Sequence, residues 1–516
     1  MVSATVDLPN EIEPLQKMVI LRDEEIELLL EQNRLLKAEL YGSKSEKCAA
    51  LDMQQGLFDA RETASSKPES DDETDEEQEV KGHTRKRRSR KLPEHLERKQ
   101  EIIDIPDEEK RCCGGCMPCI GHEVTEKLVY KPAECYVLEL VRPKYACDVC
   151  EGLETDGSTV KVAPLPPQII PKSFATPSLL AHILTARFVD GLPYYRQVNQ
   201  FSRIGVVLSR ANMVNWVLKI TDKAKRLRRL LQQVARAGPM LGVDETTIQV
   251  LGESGRCNKT KSYMWVMRGG PPHAPVILFF YDPHRNSAFA RKLLDGYQGY
   301  VQTDGYAAYD YLDKMLGVIH LVCWAHVRRK FVAVIKAYSP KRKRLKNGHA
   351  DKILALIGEL YQIEKRARLK DLSDEELLAV RQSKSKPVLE KIKERLDDLN
   401  GKVPPKSLLG MAISYALDNW TRLLIYLDKP FLTPDNNLVE NVIRPFVVGR
   451  KNWLFAASPA GAEANAVFYS LVETAKANGW SPYAYLNFML EGLVEAQTDE
   501  DFLALLPTVL PPAEEQ

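Results

Sequence analysis

Apolar residues recur at alternating steps of four and three through residues 11–41, at Leu15, Val19, Ile26, Leu29, Leu36 and Leu40, with Arg22 and Asn33 in the same series. This is a heptad seam, with Val19, Ile26, Asn33 and Leu40 at position a and Leu29 and Leu36 at position d. One Asn at an a position sets register and strand number at some cost in stability. The seam therefore predicts a helix that pairs with a second copy of itself; the plainer alternative is an amphipathic helix packed on its own chain. Gly42 and Ser43 end it. Residues 177–237 are again helical in pattern, with Leu179, Leu180, Ile183 and Leu184 on one stripe. Within them, 192–216 predicts a helix, a turn at Gly205 and a second helix capped by Ser209. That shape suits a helix-turn-helix and also a plain helical core.

The pattern then changes. Runs at 240–251, 262–267, 276–281, 300–303 and 318–323 are strand-like, and 287–294 is helical. Three consecutive strands followed by a helix, a strand and further alternation predict a mixed α/β sheet. Residues 329–430 return to helix, rich in Lys, Arg and Glu, and 462–506 form a helical tail. At 516 residues the chain should hold three or four domains. Its apolar fraction of 44% is enough for real cores. No apolar run approaches the roughly 20 residues of a membrane span, and the start shows no signal peptide; the expectation is a cytoplasmic, nucleoid-associated protein.

The net charge of +2 hides segregation. Residues 69–79 are acidic and apolar-poor, the composition of a disordered linker. A basic arm follows, with Arg85, Arg87 and Arg88, suited either to neutralising that linker or to gripping phosphates. Of the ten cysteines, Cys112, Cys113, Cys116 and Cys119 cluster in RCCGGCMPC, and Cys147 and Cys150 form CDVC. Two such knuckles fit tetrahedral, structural Zn²⁺ held by four thiolates. Gly114 and Gly115 allow the tight turn. Both Cys113/Cys116 and Cys116/Cys119 have the right spacing. Cys135, alone in a strand-like run, is expected to be a buried thiol. The domain is expected to present Arg142, Lys144 and Tyr145 to DNA.

Three acids carry the candidate chemistry. Asp244 (LGVDETT) closes an apolar run, Asp304 (QTDGY) precedes a glycine turn, and Glu440 lies near the start of a helix expected to be capped by Asp435. Two strand-end carboxylates and one helical one can converge at a sheet edge, where hard oxygen ligands select two Mg²⁺ or Mn²⁺ ions. Glu245 is a rival ligand, although neighbours on a strand face opposite ways. Arg444 lies one turn beyond Glu440 on the same face, and Arg450, Lys451 and Trp453 offer charge and stacking to a nucleic-acid strand. In Cys323-Trp-Ala-His326 the Cys and His read as structural groups near the site, with Arg328, Arg329 and Lys330 facing DNA.

These motifs, with LYGSKSEK, RPKYACDVCEG, GLPYYRQ, GVDETTIQV, QTDGYAAYD, CWAHVRRKF and DNNLVENVIRPFVVGRKNWLFAAS, resemble DDE transposases of the insertion sequence 66 family of bacteria along nearly the whole chain. The resemblance implies an RNase H-like catalytic core with Asp244, Asp304 and Glu440 as metal-binding triad, a helical insertion before Glu440, and a zinc-finger-like domain ahead of the core. After the glutamate stands Asn441, where the family commonly has Arg. The expected fold class is a multidomain α/β protein. It divides into a coiled-coil helix (1–60), a charged linker (61–95), a zinc-finger-like domain (96–155) and a helical domain (156–237). The core follows (238–330), then a helical insertion (331–430), the glutamate helix (431–460) and a helical C-terminal region (461–516). The expected function is cleavage and strand transfer at insertion-sequence ends, with DNA (ends and target) and further copies of the chain as partners. The alternatives are a non-catalytic DNA-binding regulator or transposase remnant, and a plain metal-dependent nuclease.

Overall fold

The computed structural model describes residues 163–337 and 348–509 without interruption, with residues 111–112, 115–116, 135–146 and 160–162 and scattered positions between 22 and 33. The acidic block, Arg85, Arg87, Arg88, Cys113, Cys119, Cys147 and Cys150 lie outside the described residues. The chain divides into two compact units, Lys44–Leu165 and the remainder.

In the first unit, β1 (Arg111–Cys112) pairs antiparallel with β2 (Gly115–Cys116), Arg111 opposite Cys116. A second ribbon joins β3 (Lys144–Ala146) to β4 (Val160–Val162). The expectation for Cys135 is corrected: its thiol is exposed. The run 135–143 forms no strand, so Cys135, Tyr136, Val137 and Val141 have no sheet face to pack on. Arg142 is tied to its own backbone, donating from Nη1 to the Ala163 carbonyl at 2.9 Å.

The second unit opens with α1 (Pro177–Phe188), α2 (Tyr194–Arg203) and α3 (Arg210–Arg236). Gly205 takes φ +80° in the turn, and the Ser209 hydroxyl accepts the Asn212 N–H at 3.0 Å, so the long α3 starts where the sequence places its cap. The sheet follows: β5 (Met240–Gln249), β6 (Lys261–Gly269), β7 (Val276–Asp282), α4 (Ser287–Leu294), β8 (Gly299–Thr303), a 3₁₀ turn (Ala307–Lys314) and β9 (Val318–Val322). The strand order is β7-β6-β5-β8-β9. β5, β6 and β7 run antiparallel, while β5, β8 and β9 run parallel.

Helices α5 (Trp324–Lys336), α6 (His349–Leu369), α7 (Asp374–Val380), α8 (Lys386–Leu399), α9 (Leu408–Asp418) and α10 (Trp420–Leu424) follow the sheet, around a core that includes Trp324, Phe331, Ile357, Leu360, Ile392 and Leu409. Leu28 of the N-terminal helix packs against this cluster, while the seam residues Ile26 and Leu29 stay exposed. A π-helical turn (Arg381–Ser385) buries Arg381. Its guanidinium pairs with both Glu364 oxygens at 2.8 Å and donates to the carbonyls of Tyr426, Lys429 and Leu432. One buried cation thus anchors the loop that returns from these helices to the sheet.

The chain closes with α11 (Asn437–Trp453), α12 (Pro459–Ala477), α13 (Pro482–Gly492) and α14 (Asp499–Ala504). An exposed β7 edge would be an aggregation hazard. Here α12 covers it: Thr474 Oγ1 accepts the Ile277 N–H at 3.0 Å and Ser470 Oγ accepts that of Phe279 at 2.8 Å. Those polar residues sit in an otherwise apolar helix because the strand edge needs acceptors. No helix among the described residues is long and apolar enough to cross a membrane.

Candidate active site

Asp244 is not at the end of its strand, as its apolar run suggests. β5 continues to Gln249 because its antiparallel pairing with β6 does. What ends before Asp244 is the parallel pairing: Met240 to Gly242 match Tyr300 to Gln302 of β8, and no further. Asp244 and Asp304 each lie two residues beyond the last pair, where the two strands part. Ligand sites favour such a crevice at strand C-terminal ends. Asp304 is fixed by a tight turn. Its Oδ1 accepts the Tyr306 N–H at 2.9 Å, its carbonyl accepts the Tyr415 hydroxyl, and Gly305 takes φ +74°. A Cβ on Gly305 would stand 2.8 Å from that same Tyr415 hydroxyl oxygen.

Glu440 comes from α11, which is fastened to β5 at both ends. At its start the Asn436 N–H donates to the Cys323 Sγ at 3.0 Å, and the Asn436 side chain reaches the Val243 carbonyl at 3.4 Å. At its end Leu454, with φ +65°, turns the chain so that Ala456 exchanges hydrogen bonds with β5, its N–H to Gln249 and its carbonyl to Leu251, both at 2.9 Å. Asn436, not Asp435, occupies the N-cap position. Asp435 instead folds onto the residue after the cap, accepting the Asn437 N–H at 3.2 Å.

Strand alternation sends the two neighbouring acids opposite ways. Asp244 shares its face with Val266 and Phe279, and Phe279 packs on Phe446 of α11. Glu245 faces away, where Arg285 Nε donates to it at 2.5 Å and the Tyr309 hydroxyl at 2.7 Å. Arg285 also reaches Asp304 at 3.5 Å and lies 3.9 Å over the Tyr306 ring. Glu440 has its own cation: Arg329 pairs with Oε2, while His326 Nδ1 stands 3.9 Å from Oε1. Arg329 Nη1 is 2.8 Å from His326 Nε2.

These contacts set the charge states. Burial raises the Asp244 carboxyl well above the ordinary range, and the negative charges of Glu245, Asp304 and Glu440 raise it further. Asp304 is raised by burial, opposed by the Tyr306 N–H and by Arg285. Burial and the Glu440 charge push the Cys323 thiol up to about 12. Burial, with Arg329, Lys330 and Arg285 nearby, lowers His326 to about 3, so its ring is neutral. Among the described residues, Cys323, His326 and Glu440 form a group whose ligand atoms lie within 4.8 Å of one another.

The remaining candidates separate by exposure. Arg328 and Lys451 are on the surface, and Arg444 is half-buried. Arg450 donates to Thr247 Oγ1 at 3.1 Å, on β5. Trp453 is in the core, edge-on to Phe446 and under the Arg187 guanidinium at 4.9 Å, with no open face for a base. Tyr309 lies within the QTDGYAAYD run, whereas Arg285 and Tyr415, 19 and 111 residues from Asp304, carry no motif that marks them beforehand.

The family described as Transposase IS66 family matches residues 172–464, and the IS66 C-terminal element matches 470–508. The zinc-finger binding domain of transposase IS66 matches 111–151, and the domain described as Transposase C of IS166 homeodomain matches 28–100. Among curated proteins of Sinorhizobium fredii, the uncharacterized protein y4jD is 31% identical over 519 residues, covering 98% of this chain and 96% of its own. The uncharacterized protein y4qI is 32% identical over 425 residues, 80% of this chain and 76% of its own. With the first of these matches spanning more than half its length, the chain belongs to the IS66 transposase family.

Proposed function

We propose that this protein cuts and rejoins DNA at the ends of an insertion sequence, with Asp244, Asp304 and Glu440 as the catalytic carboxylates. The observation that carries this reading is the pairing of β5 with β8, which leaves Asp244 and Asp304 each two residues past its last pair, with the helix bearing Glu440 fastened to the same strand β5. The strand order, three antiparallel strands extended by two parallel ones, supports an RNase H-like core. An all-oxygen donor set suits Mg²⁺ or Mn²⁺. The raised Asp244 carboxyl fits the same group, because burial and then the negative charges of Glu245, Asp304 and Glu440 raise it, and a cation relieves both. Bound there, two such ions supply activation of a water or 3′-hydroxyl and stabilisation of the leaving oxygen.

The chain's own groups do the rest. Arg285 and Tyr309 hold Glu245, and Arg285 also reaches Asp304. Arg329 holds the Glu440 carboxylate. Arg444, one helical turn beyond Glu440, and the exposed Arg328 and Lys451 contact phosphates. Arg450 and Trp453 fasten α11 to its surroundings. In the first unit, cysteines of the two knuckles hold structural Zn²⁺. The exposed Ile26 and Leu29 form the seam with a second copy.

The test is cleavage and strand transfer on end-sequence DNA with Mg²⁺. Wild-type protein cuts and joins; Asp304→Asn binds the DNA and does neither. Joining by Asp304→Asn at the wild-type rate overturns the assignment. Cutting without joining by the wild type indicates a plain nuclease, and full binding with neither step a regulator.

A further inference from the structure

We infer that His326 is a positioning residue for Glu440: Arg329 locks its ring as the Nδ1–H tautomer and aims that hydrogen at the glutamate carboxylate. The inference rests on the proposed role of Glu440 as a cation ligand.

His326 lies in the first turn of α5, and Arg329 stands three residues on, on the same face. Arg329 Nη1 is 2.8 Å from His326 Nε2. A guanidinium only donates, so Nε2 must accept; the ring is therefore neutral and its hydrogen sits on Nδ1. Nδ1 is buried, has no hydrogen-bond partner among the described residues, and faces Glu440 Oε1 at 3.9 Å. The other end of the same guanidinium pairs with Glu440 Oε2. One arginine thus sets both the tautomer of the histidine and the place of the carboxylate. At 3.9 Å the Nδ1–H is short of a hydrogen bond, and a shift of about 1 Å closes it. With Arg329 on Oε2, this hydrogen directed at Oε1 holds the Glu440 carboxylate in its rotamer. Groups that orient a ligating carboxylate in this way govern affinity for the cation.

The same atoms, with Cys323 Sγ, suggest a soft-metal site. The tautomer opposes that reading. A metal needs the Nδ1 lone pair, and that nitrogen carries the hydrogen.

Two measurements on the full chain test the inference. In ¹⁵N-histidine NMR, the His326 signal, identified by its absence in His326→Asn, should show the Nδ1–H tautomer; an Nε2–H tautomer overturns the proposal. In calorimetry of Mn²⁺ binding without DNA, His326→Asn keeps an N–H where Nδ1–H stood and should stay within about twofold of wild type, whereas His326→Gln should lose roughly 10- to 100-fold. Equal losses, or none in either variant, overturn it, as does Zn²⁺ binding that requires both Cys323 and His326. Unchanged Mn²⁺ affinity in Glu440→Gln instead marks failure of the underlying ligand assignment, which the tautomer measurement does not depend on.

Discussion

A Cβ on Gly242 would stand 2.5 Å from Val439 Cγ2 and 2.9 Å from Asn436 Oδ1. The helix that carries Glu440 therefore rests on the bare backbone of β5, two residues before Asp244. Gly242→Ala should overpack this contact, costing about 1–3 kcal/mol of stability and pushing Glu440 away from the aspartates. Chemical denaturation and Mg²⁺-dependent cleavage should both register the change. A variant with wild-type stability and rate would show that the helix is not seated there.

The pH dependence of folding should carry a histidine signature. His320 is buried between Thr303 and Asp313, with its Nε2 and Nδ1 at 2.8 and 3.2 Å from them, and burial lowers it to about 4. The unfolded chain takes up this proton near the ordinary value of about 6.5, so between the two values the unfolded state binds more protons. His320 therefore contributes full stability above about 6.5, lost as pH falls toward 4, with a slope of at most about 1.4 kcal/mol per pH unit. His326 acts with the same sign. Melting curves across this range should flatten in His320→Gln; an unchanged slope places the titration elsewhere.

Arg444 is expected to touch phosphate, not base or cation. Arg444→Ala should weaken DNA binding similarly across sequences and reduce the slope of log affinity against log salt by about one, while Mn²⁺ affinity stays unchanged. A sequence-dependent loss in filter binding would point to base contact.

Thiol chemistry separates the cysteines. Cys135 and Cys257 are exposed, while Cys323 is fully buried and its thiol is held up to about 12. Iodoacetamide at neutral pH should label the first two and spare Cys323 until the protein unfolds, as peptide mass mapping would show. Early labelling of Cys323 would mean that the Cys323–Asn436 contact opens readily.

Local signals are the ones the chain displays plainly. Residues 287–294 form the helix their pattern predicts, Ser209 caps α3, and the strand-like runs form one mixed sheet. These features depend on near neighbours in sequence. The three acids could be singled out, but their supports could not. Arg285 reaches Glu245 across 40 residues and Arg329 reaches Glu440 across a whole helical insertion, and no spacing announces such pairs. Trp453 follows a run of cations, which suggests a nucleic-acid surface; tertiary packing against Phe446 and Arg187 takes it inside. Cys135 shows the converse, an apolar run left exposed because it pairs with no strand among the described residues.

The central claim is that Asp244, Asp304 and Glu440 hold the divalent ions. Anomalous scattering from Mn²⁺ in crystals of the full chain with end-sequence DNA tests it most directly. Mn²⁺ peaks bounded by oxygens of these three residues are expected. Peaks at Cys323 and His326 with none beside Asp244 and Asp304 would contradict it.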